Sequence, residues 1–124
     1  MALISFALTT KEFLSGRKTV TRRAWKDKYR GKWIKWYNSG KVIHDACDKV
    51  LYAGGKRIGK FELTCAPYLE KLSNMPLSDL KAEGGMCKTR EEFCELIGKT
   101  MDDYVTVIRF KKLKEGSDHM AVGC

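Results

Sequence analysis

The chain has 124 residues, of which 44% are hydrophobic and 31% charged, with a formal net charge of +9. That length holds one domain around one core, and no apolar run reaches the roughly 20 residues of a membrane span. The five cysteines (Cys47, Cys65, Cys87, Cys94 and Cys124) are widely spaced and form no C-x-x-C, so no zinc ribbon or redox motif is visible.

Ala2 to Leu8 is apolar but short and follows no charged region, so it is not expected to be a secretory signal. Within it, Ile4-Ser5-Phe6 reads as a first strand. Thr9 and Glu12 have the spacing of a capping box, which predicts a helix through about Ser15 with Phe13 and Leu14 on its apolar side. Gly16 suits the residue after that helix. The run Thr19-Val20-Thr21 is β-type, and alternation puts Thr19, Thr21 and Arg23 on one face of a strand and Val20 and Arg22 on the other. Lys18 is then expected at the turn, free to swing to either face.

Trp25, Tyr29, Trp33 and Trp36 recur at helical spacing and predict a helix whose aromatic stripe packs into the core. Lys26, Lys28, Arg30, Lys32 and Lys35 take much of its remaining circumference. Ser39-Gly40 ends it. Lys41 to Tyr52 alternates irregularly, and Gly54-Gly55 signals a hairpin. Phe61, Leu63 and Cys65 alternate with polar residues as a strand that Pro67 stops. Pro76 to Glu83 reads as a short helix closed by Gly84-Gly85. Thr89 with Glu92 forms a second capping box, opening a helix with Phe93, Leu96 and Ile97 inward. Tyr104 to Phe110 is a buried closing strand. The expected domain spans residues 1–113, and residues 114–124 lose periodicity and read as a flexible tail.

The charge is unevenly placed. Residues 11–41 hold eleven Lys/Arg against Glu12 and Asp27, and elsewhere the two signs balance. Such a patch favours polyanions through counterion release, which makes RNA a possible partner of segment 17–35. A basic surface kept for solubility is the plain alternative.

The densest part of that patch is Gly16-Arg17-Lys18-Thr19-Val20-Thr21-Arg22-Arg23. Charge runs usually face solvent. The sharper reading is a site for an anionic or nucleobase ligand on which Lys18 and Thr21 converge. With Phe13-Leu14-Ser15 ahead of it, the run resembles the G-x-K-T-x-T-x-R signature of ASCH-domain proteins, in the PUA-like superfamily, and the resemblance extends from Ile4 to about Leu113. Strands at both ends and in the middle, with helices between, suit a small α+β barrel. The resemblance implies, more specifically, a PUA-like mixed β-barrel flanked by short helices, with a cleft beside the signature. Among ASCH proteins the chain resembles the small bacterial N4-acetylcytidine amidohydrolases, whose proposed Lys/Thr/Glu triad would carry over to Lys18, Thr21 and Glu83. Arg22-Arg23-Ala24-Trp25 is more basic than the equivalent stretch of those enzymes.

Amide hydrolysis needs a nucleophile, a base and a proton donor to the leaving nitrogen. Thr21 supplies a hydroxyl. Lys18 serves as base only when neutral, a form that burial and the charges of Arg17, Arg22 and Arg23 favour. Glu83, if opposite, moves a proton to the leaving amine or orients a water. Thr21 and water both remain open as the nucleophile. Arg23, Arg22 and Thr19 are the candidate substrate-binding residues. Pairs such as His44 with Cys47, or Cys87 with Cys94, lack a matching second half for a metal, and His44 and His119 lie in no motif that partners a cysteine nucleophile. The expectation is therefore an N4-acylcytidine amidohydrolase with no cofactor and no metal, acting on a nucleoside-type small molecule. It is expected to be cytoplasmic with reduced thiols and away from membranes, its oligomeric state left open. The alternatives are an RNA- or modified-base-binding ASCH module, and an ASCH-type ribonuclease using Lys18 and Glu83.

Overall fold

A computed structural model describes residues 3–48 and 54–114. Six strands form one mixed sheet: β1 (Leu3–Ser5), β2 (Val20–Arg23), β3 (Ile43–Cys47), β4 (Arg57–Leu63), β5 (Tyr68–Lys71) and β6 (Tyr104–Lys112). The order is β1-β3-β4-β6-β2, with β5 also paired to β6. Only the β1–β3 pairing is parallel among the described strands. The sheet curls into an open half-barrel, a form compatible with the small α+β barrel expected from the element pattern. Its two edges, β1 and β2, are bridged by a side chain: Arg23 Nη2 donates to the Ser5 carbonyl at 2.6 Å.

Strand alternation gives β6 two apolar faces. Ile108 and Phe110 point into the curl, joining Phe6, Phe13, Trp33 and Phe61 in one core cluster. Val105 faces the other way, joining Leu72, Met75, Leu80 and Phe93 in a second. The nine-residue β6 is therefore buried on both sides, as its β-branched and aromatic run predicts. No helix among the described residues is long and apolar enough to cross a membrane.

Among the described residues four α-helices accompany the sheet, α1 (Thr10–Leu14), α2 (Asp27–Asn38), α3 (Asp79–Ala82) and α4 (Arg90–Ile97), with one 3-10 turn at Leu72–Asn74. The α4 capping box forms as the Thr89/Glu92 spacing predicts, and Gly98 closes that helix in the left-handed region. The expected stripe packs in part: Trp33 is fully buried and Trp36, with Trp25 just before α2, lies against the core, but Tyr29 is exposed. The Thr9/Glu12 box does not form, and Thr9 makes no side-chain cap bond. Thr9 is buried, and its Cγ2 lies so close to Gly84 that a Cβ there would meet it at 2.9 Å. Packing against the far loop takes the side chain away from the helix end.

Three further differences are local. The helix expected over residues 76–83 is one turn, because Pro76 and Leu77 accept i+3 bonds from Asp79 and Leu80 before any helical bond begins. β4 ends at Leu63, short of the expected Cys65 and Pro67, and just after Pro67 the chain resumes at Tyr68 as β5 on the same partner, β6, a strand that the sequence pattern does not announce. Lys18 is not a swinging turn residue but is 3% exposed. The Gly54-Gly55 signal does mark a hairpin, since β3 and β4 pair antiparallel across it. Residues 49–53, the expected tail beyond residue 114, His119 and Cys124 lie outside the described residues.

Candidate active site

The signature strand splits its side chains as alternation requires. Thr21 pairs in register with Ile108 and so faces the curl, and Arg23 shares that face, donating from Nε to Thr21 Oγ1 at 3.0 Å. Arg22 pairs with Val107 and faces the other way. Lys18 sits just before the strand, after the left-handed turn at Gly16 (φ 80°). Its backbone N–H donates to the Glu12 carbonyl at the end of α1, and the next N–H, of Thr19, donates to Ala82 in α3. These two bonds clamp the signature between the helices and aim the Lys18 side chain at Glu83.

Glu83 caps the C-terminal end of α3, where the helix dipole disfavours a carboxylate. Two cations offset that cost. Lys18 Nζ lies 3.1 Å from Oε1 and also donates to the Glu83 carbonyl, while Arg22 Nη1 lies 3.1 Å from Oε2. The carboxylate is 8% exposed, so it is not the solvated surface acid that its position suggests. Lys18 has three N–H donors, and Glu83 takes two of them. Burial pushes the Lys18 pKa below 10.5, Glu83 opposes that shift by favouring the ammonium, and Arg23 and Arg22 add to the lowering. Arg23 is lowered as well, chiefly by burial, with Glu83 opposing. Both cations also lie near the Phe6 ring, at 5.9 Å and 5.5 Å from its centre.

Lys18, Thr21, Arg22, Arg23 and Glu83 all border one pocket of about 350 Å³. It opens between the β1–α1 connection and α3–α4. Its apolar lining comes from Leu8 on the first of these and from Met86, Phe93, Leu96 and Ile97 on the second. A cationic, hydrogen-bonding end beside an apolar wall suits a flat, mostly neutral ligand with one strong acceptor. Comparison of the chain with family models, curated proteins and solved structures finds no match to any.

Two of the expected binding residues are committed to partners within the protein. Each of the three guanidinium nitrogens of Arg22 donates to an acid: Nε to Glu70, Nη2 to Asp79 and Nη1 to Glu83. Thr19 is exposed, lies outside the pocket wall and contributes through its backbone, its carbonyl accepting from Phe110. Segment 17–35 is not one solvated face either. Lys18 and Arg22 are inside, whereas Arg17, Lys26, Lys28, Lys32 and Lys35 are exposed.

Three charged residues were not singled out from the sequence: Glu70, Asp79 and Arg109. Asp79 and Glu83 stand four residues apart, a spacing that places two acids on one helical face. That was a readable signal for Asp79. Glu70 meets Arg22, and Arg109 meets Asp79, only through the pairing of β5 and β2 to β6. His44 is a core residue, stacked among Trp33, Trp36 and Phe61 with ring centres 4.3, 6.1 and 6.0 Å away. Its pKa is lowered by burial. Among the described residues no three or more His, Cys, Asp or Glu stand where they could share a metal ion.

Proposed function

We propose that the chain is an amidohydrolase of the ASCH type, removing acyl groups from N4-acylated cytidine compounds with Lys18, Thr21 and Glu83 and without a metal. The observation that carries this reading is the meeting of these three side chains and Arg23 at one end of an apolar-walled pocket. The base ring would lie on the apolar wall, with the acyl carbonyl toward Lys18 and Arg23. Thr21 Oγ1, or a water beside it, attacks the carbonyl carbon. Arg23, whose Nε donates to Thr21 Oγ1 and which therefore stands beside the attacked carbonyl, would donate to the carbonyl oxygen and lower the cost of its developing negative charge. Neutral Lys18 takes the proton from the nucleophile. The tetrahedral centre then collapses, the C–N4 bond breaks, and the proton passes to N4 by way of Lys18 and Glu83. Where water attacked, the carboxylic acid leaves directly; where Thr21 attacked, the acyl group remains as an ester on Oγ1 until a water, giving its proton to Lys18, attacks the ester carbonyl, the C–Oγ1 bond breaks and the proton returns to Thr21. Either route consumes one water and gives the carboxylic acid and cytidine.

The exposed lysines of α2 favour a second reading, an RNA- or modified-base-binding module, because none of them borders the pocket. The deciding experiment incubates the purified chain with N4-acetylcytidine and follows its ultraviolet absorbance. Conversion to cytidine is expected without added metal. Its rate should fall at acid pH, because the active form of Lys18 is the deprotonated one; burial brings that acid limb below the ordinary lysine value of 10.5. Absent turnover together with tight binding of an oligoribonucleotide would select the binding module. Absent turnover with cleavage of that oligonucleotide would select a ribonuclease.

A further inference from the structure

Behind the pocket lies a buried run of alternating charges. Arg22, whose side chain is fully buried, reaches acids from two other elements: Glu70 on β5 at 2.9 Å, and Asp79 and Glu83 at the two ends of α3. Asp79 in turn accepts from Arg109 Nη1 at 3.1 Å and Nη2 at 2.7 Å. From the rim inward the order is Arg109, Asp79, Arg22, Glu83, Lys18. All but Arg109 are nearly out of solvent. Removing one charge therefore leaves its neighbour poorly compensated in a low-dielectric setting.

α3 is one turn of four residues, and its N-cap Ser78 makes no side-chain cap bond. A single turn does not hold itself. Both ends of α3 are held from outside: Asp79 by Arg22 and Arg109, and the Ala82 and Glu83 carbonyls by the Thr19 N–H and Lys18 Nζ. The site of Glu83 opposite Lys18 thus depends on how Asp79 is gripped.

We propose that Asp79 and Arg109 are positioning residues of the pocket, holding the α3 turn and, through Arg22, setting the charge that Lys18 meets. Their effect on turnover rests on the amidohydrolase reading; their coupling to Lys18 does not. The charged groups facing Lys18 are Glu83 from α3 and Arg23 and Arg22 from β2, while α1 presents the Glu12 backbone carbonyl to its N–H. Asp79 shares with Glu70 the neutralising of Arg22 on the side away from Glu83, and Asp79 alone of the two is also held by Arg109.

The test is a titration of the Lys18 amine in the full chain by ¹⁵N NMR of Nζ, the resonance assigned by its loss in Lys18→Met. Asp79→Asn removes a negative charge and leaves Arg22 less neutralised, so the Lys18 midpoint should fall by about half a pH unit, a threefold change in its protonation equilibrium. Asp79→Glu should restore it. Arg109→Gln leaves the Asp79 charge less neutralised and should move the midpoint up. A purely structural role would loosen both variants alike, so midpoints that stay put, or move the same way in folded protein, overturn the proposal. If Asp79→Asn does not fold, Arg109→Gln decides alone, since Arg109 is 29% exposed and tolerates loss better; an unchanged or lower midpoint then overturns the proposal. The readout needs no substrate. Opposite shifts in a protein that does not hydrolyse N4-acetylcytidine would keep the positioning network and reject the amidohydrolase. Where turnover occurs, Asp79→Asn should move the acid limb of the pH profile down by the same half unit and lower the kcat plateau above that limb, because the α3 turn is less firmly held, while KM stays within about twofold.

Discussion

Glu83 divides its two oxygens between two buried cations, and this makes its replacement a test of two properties at once. Glu83→Ala leaves Lys18 and Arg22 together without that carboxylate, a loss of about 3–5 kcal/mol for a broken buried pair. Glu83→Gln keeps the shape and some of the hydrogen bonding. Urea midpoints should therefore fall in the order wild type, Gln, Ala, while N4-acetylcytidine turnover disappears in both variants. Near-normal turnover by Glu83→Ala with an intact circular dichroism spectrum would remove Glu83 from the mechanism. Thr21→Ala should also abolish turnover, with little effect on stability beyond the lost bond to Arg23, and Lys18→Ala should do so with some loss of stability. The chemical identity of these three residues was legible in the run Gly16 to Arg23 and in the acid before Gly84-Gly85. Their burial was not, because a dense cationic run gives no sign of carboxylates that come from residues 70, 79 and 83 to meet it.

At the scale of elements, the pocket depends on the contact between the start of α1 and the end of α3. Gly84 sits at that contact with φ +134°, and an added Cβ would lie 2.9 Å from Thr9 Cγ2. Gly84→Ala thus combines an unfavourable backbone region with overpacking, a cost of about 1–3 kcal/mol. The same push would move Glu83 relative to Lys18. A lowered melting temperature and reduced turnover are expected, both readable by calorimetry and the absorbance assay. Gly31 is the contrast. It lies within α2 with nothing within 4 Å of an added Cβ. Gly31→Ala should stabilise the protein by up to about 1 kcal/mol through helix propensity. A stabilised Gly84→Ala would show that the α1–α3 contact yields more readily than its geometry implies.

Over the whole molecule, the basic helix and the pocket are separate surfaces. Trp33 anchors α2 on the core, while Lys28, Lys32 and Lys35 stand in solvent and border no part of the pocket. If α2 binds RNA, neutralising about four phosphates on a single strand gives a log–log salt slope near −3. Replacing the three lysines together should flatten that slope and leave N4-acetylcytidine turnover unchanged. Salt-insensitive binding would reduce α2 to a solubility surface. A parallel loss of turnover would mean that the two surfaces act together.

The sequence by itself determined the elements whose signals are local. The Thr89/Glu92 box, the aromatic spacing of α2, the β-branched run of β6 and the alternation that separates Thr21 and Arg23 from Arg22 each depend on residues a few positions apart, and each appears in the fold. Tertiary structure alone decided the rest. Thr9 gave up its capping bond because Gly84 lies against it, and β5 formed after Pro67 because β6 offered an open edge. Arg22, which composition marks as one more solvent-facing cation, became the buried centre of three ion pairs. Its charge is compatible with burial only where acids from β5 and α3 close around it. That closure depends on strand register and on where one short helical turn is held, and neither is written in the residues next to Arg22.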